Sequence, residues 1–320
     1  MTKNTIFKCP NCKNNLIDLV EQMTCIQCGL NYPVRDRIPI LLLEEAAGQY
    51  GDKNIDYTIT AHKQEVKDGY TNVAKSIEQS GMQDNVYFLN LGYAPDDNPQ
   101  YAVHDVPLTA INKNSVKLIL ETIGDYDFNG KDLLEVGCGR GGNIYTIHQY
   151  YEPRTTVGVD LCKANVKYCD SYLSSHNISF TVADAEKLPL EDNSFDAIVN
   201  IESSSAYTDI KSFYHNVNRI LRPGGFFLYA DVMENSVFDS NIQYLKSLGM
   251  EQFRYTDITT NVLLSCYQEY RKKILAYKEV EELGNKEDLE DFIGKPGSKI
   301  YNNMKSGRKS YRIYNLRKQQ

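Results

Sequence analysis

Four glycines fall within six positions of the stretch LLEVGCGRGGN (133–143), and Glu135 stands just before them. Such a run lets the backbone turn sharply and present its N–H groups with no Cβ in the way. Two further acids follow: Asp160 closes TTVGVD (155–160), and Asp184, followed by Ala185, closes ISFTVAD (178–184). A carboxylate at Glu135 can face a cation, and one at Asp160 can accept hydrogen bonds from ribose hydroxyls. Asp184 and Ala185 can receive an adenine amine. No Lys or Ser/Thr follows the glycines as a phosphate-binding loop requires. The set therefore describes a nucleoside with a cationic tail and no pyrophosphate, which favours S-adenosylmethionine over NAD or ATP.

A second constellation lies at the N-terminus. Cys9 and Cys12 (CPNC) and Cys25 and Cys28 (CIQC) form two C-x₂-C pairs with twelve residues between them. Four thiolates on two tight knuckles suit tetrahedral zinc, and a closed four-sulfur site leaves no position for water, so the metal is expected to be structural. Two unligated, reduced pairs are the alternative. Cys138, Cys162, Cys169 and Cys266 lack metal spacing and read as small buried thiols.

These residues need elements to hold them, and a regular alternation begins at Asn112. Val116, Ile119, Leu120 and Ile123 recur at helical spacing and stop at Gly124. Strands are predicted at 132–136, 155–160, 178–184, 195–202 and 226–232, with helices at 143–151, 163–175 and 209–221 between them. Near-continuous apolar strands separated by helices imply a buried parallel sheet. Further helices are predicted around 239–248 and 260–283. YRIYNLR (311–317) alternates with period two, as a strand returning to the sheet edge would. Upstream, 48–112 is polar and weakly periodic. Its best helical stretch is 61–80, and Pro95, Pro99 and Pro107 punctuate the loop beyond.

The chain has 320 residues, 42% hydrophobic and 24% charged, with a formal charge of −7. That balance excludes a disordered chain and gives no electrostatic reason to bind nucleic acid or an anionic membrane. The opening MTKNTIFKCPNC has no apolar core of signal-peptide length, and IPILLL (38–43) is too short to span a bilayer. A cytoplasmic protein is expected.

LLEVGCGRGGN, VGVD, VADAEKLPLEDNSFDAIVN and RILRPGGFFLYAD together resemble the class I S-adenosylmethionine-dependent methyltransferases, over roughly residues 112–235. The resemblance implies an α/β fold with a Rossmann-like seven-stranded sheet and helices on both faces. It implies Gly137, Gly139 and Gly141 at the methionine end of the cofactor, Glu135 near its amino group, Asp160 near the ribose and Asp184 near adenine. Leu161, Ala185, Asn200 and Tyr93 join them as expected cofactor contacts, and LRPGG (221–225) is the expected turn into the fifth strand.

NLGYA (90–94), NIESSSAY (200–207), TDITTNV (256–262) and SGRKSYRIYNLRK (306–318) are similar to enzymes that tailor polyketide, peptide or lipid natural products, commonly on a hydroxyl. In several of those a histidine serving as base follows the NIESS-type stretch, and here that position is Ser205. Glu202, at the end of the fourth strand, and His104, in the loop before the core, are the catalytic candidates. YPVRDRIPILL resembles a small zinc-binding module found beside various methyltransferases.

The expected division is a zinc ribbon over 1–47, a cap segment over 48–111, and a methyltransferase domain over 112–320 with a lid at 236–305. The expected activity is methyl transfer to a small molecule, at a hydroxyl of a secondary metabolite, and a homodimer is the assembly considered. One alternative is an RNA or protein methyltransferase that grips its substrate with the ribbon; the acidic balance counts against RNA. The other is an inactive methyltransferase-like scaffold, against which the intact Glu135, Asp160 and Asp184 count.

Overall fold

A computed structural model describes residues 6–46, 59–79, 81, 86–95, 106, 112–276 and 286–320. In chain order, the N-terminal segment forms β1 (Leu16–Asp18), β2 (Gln22–Cys25), β3 (Asn31–Arg35) and β4 (Ile38–Leu41). Helices α1 (Ala61–Gln79) and α2 (Lys113–Ile123) precede the regular alternation. That alternation runs β5 (Asp132–Val136), α3 (Gly142–Tyr150), β6 (Thr155–Asp160), α4 (Lys163–Leu173), β7 (Ile178–Ala183), β8 (Phe195–Ile201), α5 (Ile210–Ile220) and β9 (Leu221–Glu234). It closes with α6 (Asn235–Ser247), β10 (Met250–Asp257), α7 (Thr259–Ala276), α8 (Lys286–Phe292), α9 (Lys299–Lys305) and β11 (Lys309–Lys318).

The strands form one sheet in the order β1-β2-β3-β4-β7-β6-β5-β8-β9-β11-β10. It has eleven strands, which corrects the expectation of seven. The seven from β7 to β10 match the expected core. The other four belong to the N-terminal module, because β4 adds in parallel to β7, with Ile40 opposite Val182 and Leu41 opposite Ala183. Thr181 Oγ1 donates to Pro39 O at 2.9 Å across the same junction. All four residues of β4 are buried, and Ile38, Ile40 and Leu42 share an apolar cluster with Val166 and Cys169 of α4. Burying that run against α4 leaves it little reason to form a separate small core.

The stretch predicted as a lid, 236–305, is not all lid. β10 pairs antiparallel with β11 over Met250–Asp257, and α6 packs Phe238, Ile242 and Leu245 into the main core. LRPGG is also not a separate turn. Phe195 faces Leu221 and Ala197 faces Phe226, so 222–225 form a bulge within β9, where Pro223, having no N–H, can be accommodated. Helix α5 is set by Asp209, whose carboxylate accepts from Ser212 N at 3.1 Å. Its Phe213, Val217 and Ile220 are fully buried on the sheet, each contributing about 1.5–3 kcal/mol. Among the described residues no helix is long and apolar enough to cross a membrane.

Candidate active site

Strands β5 to β8 end on one side of the sheet, where order reverses between β5 and β8, the place at which open α/β sheets form ligand crevices. A cleft of about 990 Å³, counting the space open to solvent, lies there. Its floor is the glycine loop. Gly137, Gly139 and Gly141 have φ of 73°, 51° and 78°, a region that side chains with a Cβ rarely adopt. A Cβ on Gly137 would lie 2.0 Å from Ser203 Oγ, so the bare backbone lets the end of β8 close against the loop. Gly141 serves differently: its Cβ would lie 2.3 Å from Leu173 Cδ1, and it lets α4 pack closely rather than lining the cleft.

Asp160 and Asp184 line the cleft at the ends of β6 and just beyond β7, with Leu161 and Ala185 beside them. Asp160 accepts from Gly139 N at 2.8 Å and from Cys162 N at 2.7 Å, and burial pushes its carboxyl above the ordinary range. Asp184 accepts from Glu186 N at 2.9 Å. Lys63 of α1 reaches over it, 2.7 Å from Asp184 Oδ2 and 2.6 Å from Glu186 Oε2.

Besides Gly141, three expected contacts lie off the cleft wall. Glu135 is fully buried beneath the loop, where Asn143 Nδ2 donates to its Oε1 at 2.5 Å; Asn143, not Glu135, faces the cleft. Burial drives this carboxyl well above its usual pKa, and its Oε2 has no partner among the described residues. Asn200 is also fully buried: its amide pins the β5 end by donating to Val136 O at 2.8 Å, and reaches Tyr207 Oη at 3.2 Å. Tyr93 packs in the apolar cluster with Val116 and Ile258, its N–H donating to Asn114 O. The preceding Tyr87, Phe88, Leu89 and Asn90 form the wall instead.

A face of α1 that sequence reasoning passed over also lines the cleft: Lys63, Val66, Lys67 and Tyr70. Their i, i+3, i+4, i+7 spacing is that of one helix face, but two lysines in it read as solvated.

Glu202 stands at the end of β8 with φ of 50°, an unusual value for a residue with a Cβ. It lines the cleft, and its Oε1 accepts from Leu91 N at 2.9 Å and Tyr311 Oη at 2.8 Å. Burial pushes its carboxyl up to about 7, aided by Asp231 and opposed by those two donors and by Lys273. Ser205 is exposed, its N–H donating to buried Asp231 at 2.9 Å. Among the described histidines, His62, His176 and His215 are exposed, and His148 bonds Thr156 Oγ1 at 2.9 Å. None lines the cleft. His104 lies outside the described residues.

The four N-terminal sulfurs lie within 4.8 Å of one another, with Cys9–Cys28 at 3.6 Å and Cys12–Cys25 at 3.4 Å. A tetrahedral zinc with Zn–S of about 2.3 Å needs sulfurs spaced much like this. The module's knuckle clamps the loop after Asp184. Lys8 N donates to Pro189 O (2.8 Å), Glu191 N to Ile6 O (3.0 Å) and Lys13 Nζ to Leu188 O (3.1 Å).

A family model described as a methyltransferase domain matches residues 134–229. The chain is 30% identical over 243 residues to a fatty-acid O-methyltransferase of Mycolicibacterium smegmatis, covering 72% of this chain and 83% of that protein. It is 32% identical over 235 residues to a phthiotriol/phenolphthiotriol dimycocerosates methyltransferase of Mycobacterium tuberculosis, covering 72% and 85%. Among solved structures, the [4+2]-cyclase SpnF has a TM-score of 0.58 at 20% identity, covering 80% of this chain and 97% of that one. A geranyl diphosphate methyltransferase bound to sinefungin has a TM-score of 0.58 at 18% identity, covering 80% and 99%. Because a cyclase shares the fold, the fold alone does not define the reaction; the sequence relatives do. The chain belongs to the S-adenosylmethionine-dependent methyltransferases, and it is an enzyme of that class.

Proposed function

We propose that the chain transfers a methyl group from S-adenosylmethionine to a hydroxyl of an apolar, lipid-like small molecule. The carrying observation is Glu202: a carboxyl in the cleft wall, oriented by two donors, with its pKa raised to about 7, the range that serves a general base at neutral pH. A hydroxyl must lose its proton as the methyl arrives. A carboxylate acceptor has no proton to lose and would meet a like charge at Glu202, so the acid argues for a neutral acceptor.

The cofactor, when bound, supplies an electrophilic methyl on a sulfonium. The residues fit that cation: Asp160 and Glu202 line the cleft, half-buried, and Glu135 and Asp231 are buried within electrostatic reach of them. Lys63 and Lys67, which line it, are already paired with Asp184, Glu186 and Glu44. Gly137 and Gly139 leave the main chain bare for the methionine end, and Asp160 and Asp184 take the ribose and adenine. Holding the acceptor in line with the methyl supplies up to about 7–11 kcal/mol of the barrier lowering. Relatives named for fatty-acid and dimycocerosate substrates support a lipid-like acceptor.

The test uses tritiated S-adenosylmethionine with cetyl alcohol, palmitic acid and bulk tRNA as acceptors. Label is expected in the organic phase with the alcohol. Label confined to RNA, or to the enzyme itself, overturns the small-molecule reading, and label in the acid alone overturns the hydroxyl.

Cys9, Cys12, Cys25 and Cys28 are proposed to hold a structural zinc, whose thiolates fix the knuckle against 187–191. Atomic emission should find one zinc per chain. Cys12→Ser paired with Cys25→Ser should lose it and lower Tm by several degrees, since 1 kcal/mol moves Tm about 2–4 °C in a chain this size. Metal-free protein of unchanged Tm would contradict this.

A further inference from the structure

The peptide joining Asn90 to Leu91 is gripped at both ends. Its carbonyl oxygen accepts from Lys273 Nζ at 2.8 Å, and its N–H donates to Glu202 Oε1 at 2.9 Å. The next carbonyl, of Leu91, accepts from Ser265 Oγ at 3.0 Å and lies 3.4 Å from the same ammonium. A cation at the oxygen end and a carboxylate at the N–H end polarise one peptide in the same sense. Hydrogen bonds linked this way strengthen one another inside a protein.

Lys273 is costly where it stands. Burial lowers its pKa, against the pull of Cys266, Glu202 and Glu269. Its neighbour on α7, Lys272, makes the ordinary surface pairing instead, 3.2 Å from Glu269. Nothing about helix formation requires the next lysine to turn inward. What its position does satisfy is two carbonyls of the 90–92 strap, in which Gly92, with φ of 82°, would place a Cβ 2.6 Å from Ser265 Oγ.

The described groups facing Glu202 come from five elements. They are Leu91 of the strap, Tyr311 of β11, Asp231 of β9, Tyr70 of α1, and Cys266 and Lys273 of α7. Lys273 alone among them carries positive charge. Asp231 and burial both oppose ionisation of Glu202, and Lys273 favours it.

We propose that Lys273 is a positioning residue for methyl transfer: it holds the strap peptide against Glu202 and, through that peptide, keeps the carboxyl ionised near neutral pH. The proposal rests on the reading of Glu202 as base, but its test reads the carboxyl directly. Infrared titration of the cofactor-free protein follows the protonated carboxyl band that E202Q removes. In K273M the midpoint should rise by about one pH unit or more, as expected for loss of a nearby opposite charge. K273R should restore it. With cetyl alcohol, K273M should lose kcat at pH 7 and recover as pH rises, while calorimetric affinity for S-adenosylmethionine stays unchanged. If K273M fails to fold by circular dichroism, K273Q carries the comparison. A midpoint unmoved by loss of the ammonium, or one that K273R leaves displaced, overturns the proposal. An E202Q enzyme that transfers methyl at the wild-type rate overturns the base reading separately.

Discussion

Asp160→Ala is expected to weaken S-adenosylmethionine binding by about 100-fold or more, the equivalent of about 2.7 kcal/mol. The carboxylate has two tasks. In the proposed complex it accepts from the ribose hydroxyls, and hydrogen bonds to a charged group are worth about 1.5–3 kcal/mol. It also accepts from Gly139 N and Cys162 N, holding the glycine loop to the end of β6. Alanine removes both and leaves two N–H groups short of a partner, each costing about 1–3 kcal/mol where buried. Asp160→Asn keeps the shape and one acceptor oxygen, and should fall between. Isothermal titration with the cofactor and its demethylated product reads the effect, with circular dichroism checking the fold. An alanine variant within threefold of wild type would remove Asp160 from the cofactor site.

The second large effect is Glu202→Gln, expected to lower kcat by about 10²–10⁴ with cofactor affinity little changed. Glutamine keeps an acceptor oxygen for Leu91 N and Tyr311 Oη, so the strap and β11 stay anchored and only proton removal is lost. The pH dependence has a definite sign. Because the folded carboxyl titrates at about 7, it is protonated and idle below that value. The wild-type rate should therefore climb through neutrality and level off above it, and E202Q should lose that limb. Stopped assays across pH with cetyl alcohol read both quantities. A full-rate E202Q enzyme would mean that the acceptor arrives already ionised.

Much of the fold was legible because burial leaves a strong mark on strands. DLLEV, TTVGVD and FDAIVNI are nearly continuous apolar runs, and each became a strand within a residue or two of its expected bounds. The acids of the cleft followed from the strand ends, since a residue closing a parallel strand has little choice of where to point. β10 went unread because MEQFRYTD alternates with Phe253 and Tyr255 on exposed positions, so its apolar residues mark no buried face. IPIL gave a strand's composition but not its partner: the same four residues could close a small core or extend a large sheet. Tyr93 was misplaced for a related reason. The strap has no period, and its path is fixed by distant residues, Ser265, Lys273 and Glu202, that no local pattern reveals. Gly141 shows the limit of motif reasoning, because the close packing of Leu173 of α4 by itself demands a glycine there.

The parallel pairing of β4 with β7 bears on how the sheet's edge is guarded. Were the sheet to stop at β7, a full row of N–H and carbonyl groups would stand open as a template for a strand from another molecule. The amino-terminal module covers the Val182–Ala183 end of that row and tapers the sheet to β1, only three residues long, while the opposite margin at β10 is broken by a bulge and studded with Glu251, Arg254 and Asp257. Shortened versions starting after residue 47 would therefore shed more than a metal site. They would uncover an adhesive border, and clumping rather than lost catalysis would be the first symptom.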